Sequence, residues 1–182
     1  MVLVKRCKQI FLSFLIVFFS IQSFAISSDK LEKKLDKVIK KDLGLSDFGK
    51  VSSIISNEQL DKAGIELFGH QIFKLESKDG FEAFYIVETA MGRYHDFTFV
   101  VFFNQDLSIK LVRVIEYGEE HGVEITNKRW LKQFVGKTAA DHLMFRKNID
   151  AISGATISGK SITEGINRLL QNVKLLRENE LI

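Results

Sequence analysis

FTFVVFFNQDLSIKLVRVIEY, residues 97–117, is the most informative segment for the fold. It consists of two apolar runs, Phe97–Phe103 and Ser108–Tyr117, parted by the polar residues Asn104, Gln105 and Asp106. Runs rich in β-branched and aromatic residues, separated by turn-forming residues, are typical of neighbouring antiparallel strands. Because the apolar residues are nearly continuous, we expect both strands to be buried on two faces.

Upstream of this pair, the sequence predicts a second hairpin and a helix. The runs His70–Ser77 and Phe81–Thr89 flank Lys78-Asp79-Gly80, a typical turn sequence. Before them, Asp29–Leu43 carries apolar residues at helical spacing, with Ser28 or Asp29 as a cap. The apolar residues are Leu31, Leu35, Val38 and Ile39.

Downstream of the pair, two further helices are expected. A charged loop, Gly118–Gly122, leads to a short helix over Asn127–Val135, which Gly136 ends. A last amphipathic helix spans Lys160–Arg177. Strands in the middle of the chain and helices at its two ends predict an α+β domain. We expect an antiparallel sheet of four to six strands packed with N-terminal and C-terminal helices.

Length and charge limit the classes of function. The chain has 182 residues, of which 46% are hydrophobic, and this suits a single packed domain. The net charge is +3, but three of the 26 Lys and Arg residues precede residue 26. The rest of the chain then carries 23 basic against 23 acidic residues. Bulk charge therefore gives no reason to expect a nucleic-acid partner.

The first 25 residues have the order of a secretory signal peptide. Lys5, Arg6 and Lys8 precede the apolar run Ile10–Ile21, and Ser23-Phe24-Ala25 follows as a small-x-small cleavage site. We therefore predict a signal peptide at residues 1–25, a mature domain at 26–182 and a periplasmic or cell-envelope location. An uncleaved anchor is the alternative. The only cysteine, Cys7, lies in the signal segment, so disulfides and thiolate sites are not expected in the mature part.

The segment Asp150–Thr163, DAISGATISGKSIT, permits two interpretations. Gly154, Gly159, Lys160 and Ser161 match the letters of a nucleotide-phosphate loop, G-x-x-x-x-G-K-S. Such a loop normally follows a strand near the start of the domain, and the chain after the loop forms the rest of the parallel sheet. Only 21 residues follow Ser161, so we do not expect ATP binding.

The heptapeptide DAISGAT, Asp150–Thr156, resembles the flavinylation signature of the FMN-binding domain family, which includes the flavin-bearing subunits of the Rnf and sodium-pumping quinone reductase complexes. Phe97–Tyr117 is similar to the family's paired strands, and Trp130–Lys137 to its aromatic-rich turn. In the family, a threonine carries FMN through a phosphoester bond made by an exported flavin transferase. The resemblance thus implies Thr156 as the attachment residue. It assigns recognition by the transferase to Asp150, Ser153, Gly154 and Ala155.

Residues elsewhere are candidates for contact with the flavin. Members in the large complexes tend to have an E-T-P-G loop, where this chain has Glu116-Tyr117-Gly118-Glu119. Lys160 can add a positive charge near the phosphate, and a flavin ring needs an apolar or aromatic wall. The candidates for these contacts are Lys160, Glu116, Tyr117, Trp130 and Phe134.

Each feature also has a purely structural interpretation. The Ser-Gly-Ala-Thr segment suits a turn in which Ser158 caps the last helix. Trp130 and Phe134, four residues apart, suit the core face of a helix. Glu119, Glu120 and His121 suggest acid/base chemistry, but a charged loop is usually solvated. The four histidines lie far apart without the spacing of metal ligands, so we expect no metal site.

Taken with the resemblance, these features predict an exported flavoprotein that carries FMN covalently on Thr156, a phosphoprotein in that sense. It would be an electron carrier or redox subunit rather than a stand-alone enzyme. Its expected partners are the flavin transferase and a membrane or periplasmic redox protein. The alternative is a non-redox or reversibly FMN-binding module of the same fold.

The signal segment gives the first testable prediction. Protein recovered from the cell envelope should begin at Ile26, because the small-x-small site ends at Ala25. Intact-mass measurement of the purified protein checks this. A soluble cytosolic product that retains residues 1–25 would contradict it.

Overall fold

The computed structural model describes residues 29–65 and 71–182 and divides into two compact units, with the boundary after Leu43. The described part of the first unit is one helix, α1, at residues 29–42, which confirms the helix predicted over Asp29–Leu43. The predicted signal segment lies outside the described residues. Within the described ranges, no helix combines the length and apolar character needed to cross a membrane.

The second unit is built on a five-stranded antiparallel sheet, so the predicted α+β class is confirmed. Each strand pairs with the next along the chain, in the order β1-β2-β3-β4-β5. The strands are β1 Gly49–Ile54, β2 Gln71–Ser77, β3 Gly80–Met91, β4 Asp96–Phe103 and β5 Ile109–Glu116. The sequence analysis missed β1, a partly exposed edge strand.

Strand β4 lies between β3 and β5 and is buried on both faces, as predicted. Side chains alternate along a strand, so Phe97, Phe99 and Phe103 share one face, and all three belong to the main core cluster. Strand β5 is buried mainly in its first half, because it forms the other edge of the sheet. The prediction of two buried faces is therefore wrong for the second half of β5.

The described part of the second unit has four helical segments in addition to α2. Helix α2, Asn57–Ala63, was not expected; a capping box between Ser56 and Gln59 begins it. The predicted short helix at Asn127–Val135 is an α-helical turn followed by a 3-10 turn, and Gly136 ends it with φ +80°. The segments are a 3-10 turn Val123–Thr126, α3 Lys128–Leu131, a 3-10 turn Lys132–Phe134 and α4 Thr156–Glu178.

Helix α4 begins at Thr156, four residues before the predicted start at Lys160. Ser158 and Gly159 resemble loop residues in the sequence, yet both are buried within the first turns of the helix. Gly159 is needed for packing, since a Cβ there would lie 2.8 Å from the ring of Phe145 and 3.1 Å from a methyl carbon of Ile152. The cap position is Ala155, so the expectation that Ser158 caps the helix is wrong.

This geometry differs from that of a nucleotide-phosphate loop. In such a loop the residues between the two glycines wrap around phosphate ahead of the helix. Here Thr156, Ile157 and Ser158 are already helical. The second glycine packs against Phe145. The lack of ATP binding stays a prediction, which Mg-ATP titration would check.

Gly159→Ala tests the packing between α4 and Phe145. The new methyl group should cost about 1–3 kcal/mol of unfolding free energy through overpacking, although Ala is the better helix former. The loss should shrink in a Phe145→Ala background, because the ring that meets the methyl group is gone. Denaturant unfolding of the four proteins measures this. Equal losses in both backgrounds would contradict the assigned contact.

Candidate functional site

The hydroxyl of Thr156 lies at an exposed helix N-terminus. Thr156 is the first residue of α4, and its side chain is exposed. The preceding cap residue, Ala155, has no side chain that can accept a hydrogen bond from the first amides. The N-terminal end of a helix carries free N–H groups and a partial positive charge. An anion attached to Thr156 would therefore meet a favourable potential.

Gly154 shapes the turn before Thr156. Its φ of +83° lies in the left-handed region, where residues with a Cβ are strained. A Cβ at this position would also lie 2.9 Å from the carboxylate carbon and both oxygens of Glu124. Backbone conformation and space thus both require glycine in the S-G-A-T sequence.

The start of the heptapeptide is held by the helical segment that carries Trp130. The indole Nε1 of Trp130 donates to the carbonyl of Asp150 at 2.9 Å. The amide of Asp150 donates to the side-chain oxygen of Gln133, also at 2.9 Å. The side chain of Asp150 itself is exposed, as is that of Ser153. Both exposed side chains are thereby presented on a fixed backbone.

Trp130 and Phe134 are buried and pack against each other. Trp130 is 8% exposed and meets Phe134 edge-on, with ring centroids 5.4 Å apart. Phe134 is fully buried, which leaves no ring face for a flavin. Trp130 lines a groove with Asp150 and Ser153 that does not include Thr156. These placements favour the structural interpretation of both aromatic residues.

One groove at Thr156, of about 210 Å³, is lined by Tyr117 and Arg93. The phenol of Tyr117 donates to the carbonyl of His121 at 2.7 Å and lies 3.3 Å from Oγ of Ser158. Its ring packs against Phe97, with centroids 5.5 Å apart. Tyr117 therefore joins the end of β5, the following loop and the first turn of α4. We call this groove the Tyr117 groove.

Glu119 fixes the turn that carries Arg93. Its carboxylate accepts hydrogen bonds from the backbone amides of Arg93 at 3.2 Å and of Tyr94 and His95 at 2.8 Å. These bonds, above all those from His95 and Tyr94, lower the pKa of Glu119 below its ordinary value. The carboxylate is thus occupied by backbone donors, which favours a structural role for it over acid/base chemistry.

A second groove at Thr156, of about 420 Å³, runs between α4 and the loop that precedes the heptapeptide. We call it the Phe145 groove. Its basic residues outnumber the acidic one, Glu164, whose carboxylate lies 3.7 Å from the ammonium of Lys160. The lining residues are Leu143, Met144, Phe145, Arg146, Lys147, Thr156, Lys160, Thr163 and Glu164.

The predicted site residues are therefore only partly brought together. Thr156 shares the Tyr117 groove with Gly154, Ala155 and Tyr117, and the Phe145 groove with Lys160. Glu116, at the end of β5, lines neither groove. In the described parts of the chain, no group of three or more His, Cys, Asp or Glu residues could hold a metal ion.

Residues 92–171 match the model of the FMN-binding domain family. The chain contains an FMN-binding domain. The matched range covers β4, β5, α3, the heptapeptide and the first two thirds of α4, so the resemblance seen in the sequence is confirmed. Among curated proteins, none matches the chain significantly.

The FMN-binding domain has further residues at Thr156 that sequence reasoning missed. They are Arg93 and Gly122 in the Tyr117 groove, and Met144–Lys147 in the Phe145 groove. His121, which the sequence offered only for acid/base chemistry, also lines the Tyr117 groove. These residues belong to turns far from the heptapeptide or to an irregular loop just before it. Only the position of Arg93 next to Gly92, in a turn between two predicted strands, gave a local signal.

Glu119→Gln tests the carboxylate that organises the Tyr117 groove. A lowered pKa in the folded state stabilises the fold above the unfolded value of about 4.3. This stability is lost as the pH falls through the folded pKa, so the wild type should lose more in Tm than Glu119→Gln on acidification from pH 6 to pH 3. Glu120→Gln, at the exposed neighbour, is the control and should follow the wild type. Parallel curves for all three proteins would contradict the assignment.

Proposed function

We propose that this protein is an exported flavoprotein that carries FMN on Thr156 through a phosphoester and transfers electrons outside the cytoplasm. One observation supports this most: the exposed hydroxyl that ends the DAISGAT heptapeptide lies at an uncapped helix N-terminus within an FMN-binding domain. Covalent attachment, export and electron transfer are parts of the proposal, whereas FMN binding follows from the domain.

The surroundings of Thr156 suit a flavin phosphate. A phosphodiester keeps one negative charge, and the first amides of α4 favour an anion beside Thr156. Arg93 lines one adjoining groove, and Arg146 and Lys160 line the other. The described residues thus supply positive charge on both sides of the attachment point. When bound, FMN supplies the reversible uptake of electrons that the protein side chains lack.

Attachment requires a hydroxyl that another enzyme can reach. In the proposed reaction, Oγ of Thr156 loses its proton and forms the new bond to phosphorus. A flavin dinucleotide is a suitable donor, because its phosphoanhydride bond breaks and a nucleoside monophosphate leaves. The exported transferase would catalyse this step and recognise Asp150 and Ser153, whose side chains are exposed.

The chain's own residues would position the flavin rather than transform a substrate. Glu119 is engaged by backbone amides, and the phenol of Tyr117 by the carbonyl of His121. An electron carrier needs only a bound flavin that reaches its partners. We propose that a reduced membrane or periplasmic redox protein donates electrons to the flavin and that an oxidised one accepts them.

Thr156→Ala is the decisive variant for covalent attachment. Without the hydroxyl no phosphoester can form, so flavin that survives denaturation should be lost completely. Thr156→Ser keeps the hydroxyl and should retain some labelling. The proteins are made together with the flavin transferase and examined by gel fluorescence and peptide mass mapping.

Two further variants separate attachment from recognition and folding. Ser153→Ala removes a neighbouring exposed hydroxyl and should leave FMN on the Thr156 peptide. Asp150→Ala should reduce labelling but not Tm, because an exposed side chain contributes little to packing. FMN on a serine peptide would refute the assignment. A wild type that binds FMN only reversibly, or not at all, would favour the non-redox or reversibly binding module.

A further inference from the structure

We propose that the flavin transferase docks in the groove beside Trp130, where Arg129 contacts the transferase and Gln133 holds the heptapeptide in position for it. This inference rests on the proposed covalent attachment and deepens it, because it names the surface outside the heptapeptide that the transferase uses. We call this surface the Trp130 groove. Its lining residues are Asn127, Arg129, Trp130, Gln133, Asp150, Ala151, Ile152 and Ser153.

The Trp130 groove contains the first part of the segment to be modified. Its volume is about 420 Å³, and four of its lining residues, Asp150–Ser153, open the heptapeptide. Ser153 precedes Thr156 by three residues, which span at most about 11 Å of extended chain. An enzyme loop seated in this groove therefore keeps the active site of that enzyme close to the hydroxyl of Thr156.

The heptapeptide alone offers the transferase little contact area. Two of its seven residues, Ile152 and Ala155, are buried. A specific protein–protein contact usually covers roughly 800 Å² on each partner, or about 20–30 residues. We therefore expect the transferase to touch neighbouring surface as well. The two grooves at the start of α4 include Thr156, where the incoming phosphate has to enter, whereas the Trp130 groove does not.

Gln133 holds the heptapeptide through its backbone. The side-chain oxygen of Gln133 accepts a hydrogen bond of 2.9 Å from the amide of Asp150, and its side-chain nitrogen donates to the carbonyl of Trp130 at 3.2 Å. The indole of Trp130 donates to the carbonyl of Asp150 at 2.9 Å. Both backbone groups of Asp150 are thereby engaged, although its side chain is exposed. A segment that is ordered before binding costs the enzyme less conformational entropy to hold.

The Trp130 groove is lined by one cation, Arg129, and one carboxylate, Asp150. Arg129 is exposed, and its backbone is fixed because the side-chain oxygen of Asn127 accepts hydrogen bonds from the amides of Arg129 at 2.9 Å and of Trp130 at 3.4 Å. A guanidinium can form paired hydrogen bonds with a carboxylate, so Arg129 suits an acidic side chain of the partner. The exposed carboxylate of Asp150 suits a basic one. The groove therefore fits a transferase whose docking loop carries one residue of each sign.

Flavin transfer to the unmodified mature chain gives the first test. The protein is incubated with the purified transferase and a flavin dinucleotide, and covalent FMN is measured by gel fluorescence over a range of protein concentrations. Gln133→Leu should lower kcat/KM roughly three- to tenfold, the effect of one lost hydrogen bond. Gln133→Glu keeps the accepting oxygen and should retain most of the wild-type value. Gln171→Leu is the matched control: it removes a hydrogen bond of 2.8 Å to the carbonyl of Ala139, away from the groove, and should leave kcat/KM unchanged.

Binding without transfer gives the second test. Thr156→Ala cannot accept FMN but keeps the Trp130 groove, so it should inhibit modification of the wild type competitively. Arg129→Glu added to Thr156→Ala should weaken this inhibition by at least about tenfold, because like charges would then meet in the interface. Lys174→Glu makes the same change in net charge at an exposed site on α4, about 27 Å along the helix axis from Thr156. Added to Thr156→Ala, it should leave the inhibition unchanged.

The failure of the inference can be told from that of the proposed function. If the wild type receives FMN on Thr156 but Thr156→Ala does not inhibit, or inhibits equally well with Arg129→Glu, only the docking surface is wrong. Equal losses of kcat/KM in Gln133→Leu and Gln171→Leu, or in Gln133→Leu and Gln133→Glu, would overturn the role of Gln133. A wild type without covalent flavin would overturn the proposed attachment and the inference with it. If Gln133→Leu fails to fold, the competition test decides, because the side chain of Arg129 is exposed.

Discussion

Helix α4 packs beside β3 and against the aromatic side chains of β4, and this packing determines where the candidate site lies. Phe97, Phe99, Val101 and Phe103 project from one face of that strand into the same core cluster as the apolar stripe of α4. At Gly165 the helix approaches closely, since a Cβ there would lie 3.3 Å from the ring of Phe99. Because α4 is held along its length, its first residue, Thr156, has a fixed position relative to the sheet.

The segments around Thr156 are fixed by different means. The heptapeptide is held through the backbone of Asp150 by Trp130 and Gln133. The β3–β4 turn is held by Glu119, and the loop after β5 by the phenol of Tyr117. From the sequence alone, Trp130, Glu119 and Tyr117 are equally plausible as catalytic or flavin-binding groups. In the folded domain they orient the backbone, and the open space is left to Thr156 and its neighbours.

Sequence reasoning succeeded where the physical signal is local. Strands β2 to β5 and helix α4 are long apolar or amphipathic segments. The burial of each segment produces a spacing of apolar residues that is visible within that segment. Strand β1, GKVSSI, was missed because an edge strand with exposed serines has no such pattern. The start of α4 was predicted too late because Gly159 resembles a loop residue in the sequence. In the structure a glycine is needed there because the helix packs closely against Phe145, which lies in another segment. The sequence could not decide whether Phe134 is buried, because two aromatic residues four positions apart on a helix suit a core and a ligand wall equally well. In the structure Phe134 is fully buried.

If Thr156 carries FMN as proposed, Ala155 at the cap of α4 sets the stability of the helix against the modification of Thr156. Serine, aspartate or asparagine at a cap position typically stabilises a helix by about 1 kcal/mol relative to alanine, by accepting hydrogen bonds from the first amides. The same side chain would compete with any phosphate for those amides. A substitution at Ala155 that stabilises the isolated domain would thus make Thr156 a poorer acceptor in the proposed attachment. Selection for thermal stability alone would therefore act against that attachment.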